Sequence, residues 1–111
     1  MIRFVKNAIL FELIEGKIIT HMWGYEQTNI DFFKIIKRKG DFATLQPLKS
    51  KILRDEDMRG EVVPSDEPDT DEPIIRRKVH VRDGKESGIA IKSYGWASLW
   101  DGQPEHFTSY A

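Results

Sequence analysis

The stretch IDFFKIIKRKGDFATLQ, Ile30 to Gln46, decides the fold class. Ile30 to Arg38 is dense in β-branched and aromatic residues. Lys39-Gly40-Asp41 supplies turn chemistry, and Phe42 to Gln46 alternates apolar and polar side chains and is expected to end at Pro47. Together they read as a β-hairpin. Upstream, Lys17 to Trp23 reads as a strand, set off from Ala8–Ile14 by the Glu15-Gly16 turn signal. Asn7 to Ile14 suits a strand, but Leu10, Leu13 and Ile14 also fit helical spacing. Downstream, Lys49 to Leu53 either extends the hairpin or bends away, and Glu61-Val62-Val63 is a short strand. Ile74 to Arg82 alternates, with Ile75, Arg77, Val79 and Val81 on one face, and Asp83-Gly84 turns it into Gly88–Tyr94. Between Trp96 and Phe107, Asp101-Gly102 and Pro104 predict a tight turn with Gly102 at positive φ.

Short strands with regular turn signals and no long amphipathic helix predict a mainly β chain of about five to seven strands. A chain of 111 residues makes one domain, residues 1–111, too small for two large sheets. We therefore expect a small antiparallel barrel of the SH3-like kind, since closure removes exposed strand edges. A hydrophobic fraction of 40% suffices for a core at this size. The absence of cysteine excludes disulfides, thiolate zinc sites and cysteine nucleophiles. The apolar run Ala8–Phe11 is too short to span a bilayer and lacks a signal-cleavage pattern, so the expected location is cytoplasmic, with no membrane partner.

The net charge of −1 conceals a segregation. Asp55 to Glu72 holds nine acidic residues and one basic, whereas the remaining chain holds 16 basic and nine acidic. Pro64 to Pro73 alone carries three prolines and five carboxylates, which predicts an exposed, mobile acidic loop at 64–73. It is either a solvated face or an acidic strap over a basic groove, able to imitate the charge of nucleic acid. The opposing basic groups are Lys34, Lys37, Arg38 and Lys39 in the hairpin and Arg76, Arg77 and Lys78 further on. Alternation lets only part of them face one way, and a basic hairpin can also be no more than a guarded edge.

Two aromatic segments stand out, His21 to Phe33 and Ser93 to Pro104. Trp23, Tyr25, Tyr94, Trp96 and Trp100 are expected to meet where a hairpin approaches the last strand, either as packing or as a stacking platform for bases or a peptide. Glu26, Gln27, Thr28 and Asn29 form a polar tetrad between two strands, suited to satisfying loop backbone groups or to recognition. The residues as they stand resemble the W-G-Y-D/E-Q-T-N-x-D-F and Y-G-W-A-x-x-W-D-G-x-P motifs of small proteins encoded by bacteriophages, plasmids and integrated elements. The likeness runs from about Gly16 to the end, through Arg76-Arg77-Lys78-Val79 and Thr108-Ser-Tyr-Ala111. It implies a mobile-element setting in a bacterial host and no particular mechanism.

Catalytic patterns are missing. His21, His80 and His106 show no metal-ligand spacing, and the acidic run lacks the glycine and the final Glu of a calcium loop. No phosphate-cradling glycine loop is present. If the chain were an enzyme, His21 with Asp31 or His106 with Asp101 would be the acid–base pair. The expectation is instead a non-catalytic binding module without cofactor or metal. Its partner would be nucleic acid or a host protein, met through the aromatic and basic residues, or through the acidic loop acting as a nucleic-acid mimic that blocks a host factor.

Overall fold

Strand-forming segments separated by turn residues leave the chain little choice but to pair antiparallel with its neighbours. The computed structural model of the protein describes residues 13–24, 27–56, 59–91 and 95–108. Its elements are β1 (Ile18–Trp23), β2 (Asn29–Lys39), β3 (Phe42–Glu56), β4 (Arg59–Pro68), β5 (Ile75–Arg82), β6 (Lys85–Ile89), β7 (Trp96–Leu99) and β8 (Glu105–Thr108). All eight join one antiparallel sheet, more strands than the five to seven expected. Among the described residues no helix is long and apolar enough to cross a membrane.

The pairings return on themselves. β1 pairs with β2 and β7, β2 with β3, β3 with β5, β5 with β6, and β6 with β7 through Ile89↔Ala97. Each of these six strands sends apolar side chains to one cluster: Ile19, Phe33 with Ile35, Ala43 with Leu45, Val79, Ile89 and Ala97. Beyond Leu48, β3 leaves this circuit and pairs with β4, which pairs in turn with β8. That extension packs on the opposite face of β2. Phe32, Leu48 and Val62 form a second buried cluster there, flanked by Ile18, Ile30, Trp100 and Phe107. The adjacent Phe32 and Phe33 therefore serve different cores, each side chain contributing about 1.5–3 kcal/mol by burial.

Pro47 does not end β3, contrary to expectation. Its carbonyl accepts the Asp69 N–H at 2.8 Å, on the side where β5 stops at Leu45 and β4 begins at Leu48. A residue's N–H and C=O point the same way along a strand, so the missing donor falls in this gap and breaks no ladder bond with β2. Within the 64–73 stretch expected as a loop, Pro64–Pro68 belongs to β4. β8 covers only Arg59–Val62, so both prolines sit where β4 is an edge. The turn expectations hold at Asp83-Gly84, which joins paired Arg82 and Lys85, and at Gly102, with φ 86° and the Gln103 N–H donating to Asp101 Oδ1.

One residue of β2 departs from simple alternation. Ile35 pairs with Leu45 and Lys37 with Thr44, leaving Ile36 as a one-residue bulge. Past the bulge Arg38 turns inward. Its guanidinium meets the buried Glu86 carboxylate at 2.6 Å and donates to the carbonyls of Leu13 and Gly40, while Glu86 accepts the Leu13 N–H. The Arg38 N–H donates to Glu15, and this bond holds the Glu15 carboxyl below its ordinary value of 4.5. Its stabilising contribution is present above the unfolded carboxylate range and is lost as pH falls through the lowered value. Carbon-detected NMR titration should show Glu15 titrating below the ordinary glutamate value of 4.5. Glu86→Ala leaves Arg38 buried without its counter-charge, and urea unfolding should report a loss of about 3–5 kcal/mol. The double change Arg38→Met with Glu86→Leu should recover most of it, whereas two additive losses would show that the pair is not coupled.

Candidate binding surfaces

The bulge at Ile36 reverses the parity of β2, so Lys34, on one side of it, shares an outward face with Lys37 and Lys39 on the other. Across the ladder, Lys34 stands opposite Gln46, Lys37 opposite Thr44 and Lys39 opposite Phe42. On the far side of β3, Thr44 pairs with Arg76 and Phe42 with Lys78. Five cations thus occupy one open face of β2-β3-β5, about 17 Å along the strands and about 10 Å across them. None forms an ion pair among the described residues. The Arg76 guanidinium lies 4.2 Å from the Phe42 ring centroid, a cation–π contact that holds a charge flat on the surface.

His80 continues the outward parity of Arg76 and Lys78, and its ring lies 5.3 Å from that of Trp96. Trp96 rests over Gly88, where any Cβ would overlap the indole. The sequence reading missed Phe42 and His80. Their signal was the alternation already visible in β5 and the turn-flanking position of Phe42.

Two expected members leave this face. Arg38 is the buried partner of Glu86, and Arg77 points inward of β5, donating to the carbonyls of Ile91 and Arg76. The tryptophans do not gather into one cluster. Trp96 pairs with Met22 on the outer face, Trp100 packs edge-on against Phe32 with its indole N–H on the Gln103 carbonyl, and Trp23 follows the inward parity of His21. Strand parity separates side chains that sequence proximity had grouped. Tyr25, Glu26 and Tyr94 lie outside the described residues.

Trp23 and Asp31 form a second locus. The indole N–H donates to Asp31 Oδ2 at 2.6 Å, and Asp31 is the cross-strand partner of His21, whose Nδ1 lies 3.7 Å from the same oxygen. The His21–Asp31 pair therefore exists, but the imidazole is wholly buried beneath Gly95, whose φ of 83° and close approach leave no room for a side chain. A group so enclosed cannot reach a substrate. His106 lies exposed on β8.

Two cavities flank the indole. One, of about 420 Å³, lies between Trp23, Phe33, Pro47, Asp69, Glu72 and Arg77; the other, of about 340 Å³, is lined by Trp23, Thr28, Asn29, Ser50, Ile52 and Phe107. From the polar tetrad, Asn29 Nδ2 donates to the Trp23 carbonyl, and Thr28 exchanges bonds with Thr108, so these residues close the β1–β2 connection while lining the cavity. Gln27 stands beside them, with its carbonyl packed against Gly24.

The acidic stretch is held along β3 and at the cavity mouth. Glu67 meets Lys49 at 3.5 Å, Glu61 meets Arg54 at 3.8 Å, and Asp69 binds Pro47 through its backbone. A strap over Lys34–Lys39 is not the arrangement found, because the pairing of β4 with β3 carries these residues to the other end of the sheet.

The seat of Trp96 is directly testable. Gly88→Ala should push the indole off β6 and shift its emission to the red, with Trp23→Phe in the background to simplify the spectrum. An unchanged spectrum would mean that Trp96 does not rest there.

No family model matches the chain, and comparisons with curated proteins and with solved structures find no match.

Proposed function

We propose that the protein is a binding module for nucleic acid, engaging it on the open face that carries Lys34, Lys37, Lys39, Arg76 and Lys78. The observation that carries this reading is the bulge at Ile36, which aligns cations that plain alternation would divide between two faces. Phosphates would lie along the lysine rows. Phe42, with Arg76 over it, and the half-open Trp96 ring beside His80 would offer flat surfaces for unpaired bases. The circuit of pairings around one apolar cluster supports reading the sheet as a small barrel of the SH3-like kind, with this face on its outside. The resemblance of the aromatic motifs to mobile-element proteins suggests that the bound nucleic acid is that of the element or its bacterial host.

The reading as a nucleic-acid mimic has less support, since Glu61 and Glu67 are met by Arg54 and Lys49 of the same hairpin. No group of three or more His, Asp or Glu side chains is placed to hold a metal among the described residues.

Fluorescence anisotropy with a labelled single-stranded oligonucleotide across a salt series tests the proposal. If all five cations meet phosphates, log K should fall against log salt with a slope of about −3.5. Lys37→Glu or Arg76→Glu should weaken binding and flatten the slope by about 0.7 each. Lys51→Glu, on the β3–β4 extension, should do much less. Trp96→Leu should weaken single-strand binding more than duplex binding. Absence of binding at low salt, or equal effects from Lys51 and Lys37, would overturn the reading.

A further inference from the structure

The basic face carries two flat surfaces whose separation is set by the sheet. One is the Arg76 guanidinium of β5, lying over the Phe42 ring of β3 at 4.2 Å from its centroid. The other is the Trp96 ring, seated on Gly88 of β6 with its indole N–H donating to the Ser87 carbonyl at 3.4 Å; at 42% exposure it keeps an open side. Phe42 pairs with Lys78, and His80, one side-chain repeat further along β5, pairs with Gly88. The two surfaces are therefore two strand spacings apart across the sheet and one repeat apart along it, a diagonal of roughly 12 Å. Lys78 and His80 lie between them, both exposed.

That separation discriminates between forms of nucleic acid. Successive bases in a stacked strand lie about 3.4 Å apart, so neighbours in a duplex cannot reach both surfaces, and stacking covers their faces in any case. A nucleotide adds six backbone bonds, twice the three of an amino-acid residue, so at full extension it reaches roughly 7 Å. Two such steps cover the diagonal, and one does not. A guanidinium plane takes a base as an aromatic ring does, which a lysine at the same position cannot. Every base has a π face, so surfaces of this kind read strandedness rather than sequence.

Resting on the nucleic-acid reading and narrowing it, we infer that the face takes an unstacked single strand through two bases separated by one intervening nucleotide. One base stacks on the Arg76 guanidinium over Phe42, the other on Trp96. The intervening nucleotide passes over Lys78 and His80, where the lysine meets its phosphate. Arg76 then has a role beyond its charge: with Trp96 it sets the preference of the face for single strands.

The test titrates the full chain, at low salt, with labelled abasic decanucleotides of identical charge that carry two thymidines, either adjacent or separated by one abasic position. Because the phosphates are the same in both ligands, their contribution cancels in the ratio of affinities. The separated pair should bind at least about fivefold tighter than the adjacent pair, which can fill only one surface at a time. Arg76→Lys keeps the charge at an exposed position that the fold tolerates, and it should bring the ratio to about one. Trp96→Leu should do the same. Equal affinity for the two ligands, or a ratio that survives either substitution, would overturn the inference while leaving binding through phosphates in place. Failure of both decanucleotides to bind would overturn the inference together with the reading on which it rests.

Discussion

One unpaired residue in β2 governs much of this molecule. A strand alternates its side chains with period two, so an extra residue inverts the parity of everything that follows. Ile36 is that residue. Beyond it Arg38 enters the interior, where Glu86 neutralises it and the Leu13 backbone closes around both, while Lys37 and Lys39 emerge beside Lys34. A structural ion pair and an open cationic face are thus two consequences of the same insertion. The buried pair ties the turn preceding β1, the β2–β3 turn and β6 together, so the geometry that presents the lysines is stiffened from beneath.

β2 is also buried on both faces, as β3 is at Leu45 and Leu48. Phe33 and Ile35 enter the cluster inside the circuit of strands, and Phe32 enters the one under β4 and β8. This divides the outer face of β2-β3 into a covered end, at Phe32 and Leu48, and an uncovered end bearing the cations. The charge segregation follows the same division. β4 carries the acidic residues alongside the second half of β3, so Lys49 and Arg54 are neutralised locally and the lysines of the uncovered end are not. A chain of nearly zero net charge can in this way keep its cations together on one face and its acidic residues at another place in the sheet.

Much of the strand content was legible because it rests on local chemistry. The Ile30–Gln46 hairpin, the Asp83-Gly84 turn and the left-handed Gly102 follow from β-branched density and turn residues acting over four or five positions. The outward set in β5 was also readable, since alternation there is uninterrupted from Arg76 to His80. What misled was proximity in sequence. Trp23, Trp96 and Trp100 suggested one platform, but parity and pairing partner send them to three surroundings. The prolines suggested strand ends, yet Pro47 faces a gap between neighbours and Pro64 and Pro68 lie on an edge, where a missing N–H carries no penalty.

The sequence by itself determined that this chain is mainly β, where its hairpins turn, and that its two signs of charge are kept apart, because composition and short-range backbone preference suffice for each. Only the tertiary structure decided which lysines share a face, that Arg38 is buried, and that Asp31, Asp69 and Glu72 meet around Trp23. These depend on register, on a bulge whose position no local propensity dictates, and on pairings between residues some forty positions apart. A one-residue shift exchanges the two faces of a strand without altering its composition, so the placement of a side chain is settled by its neighbours across the sheet.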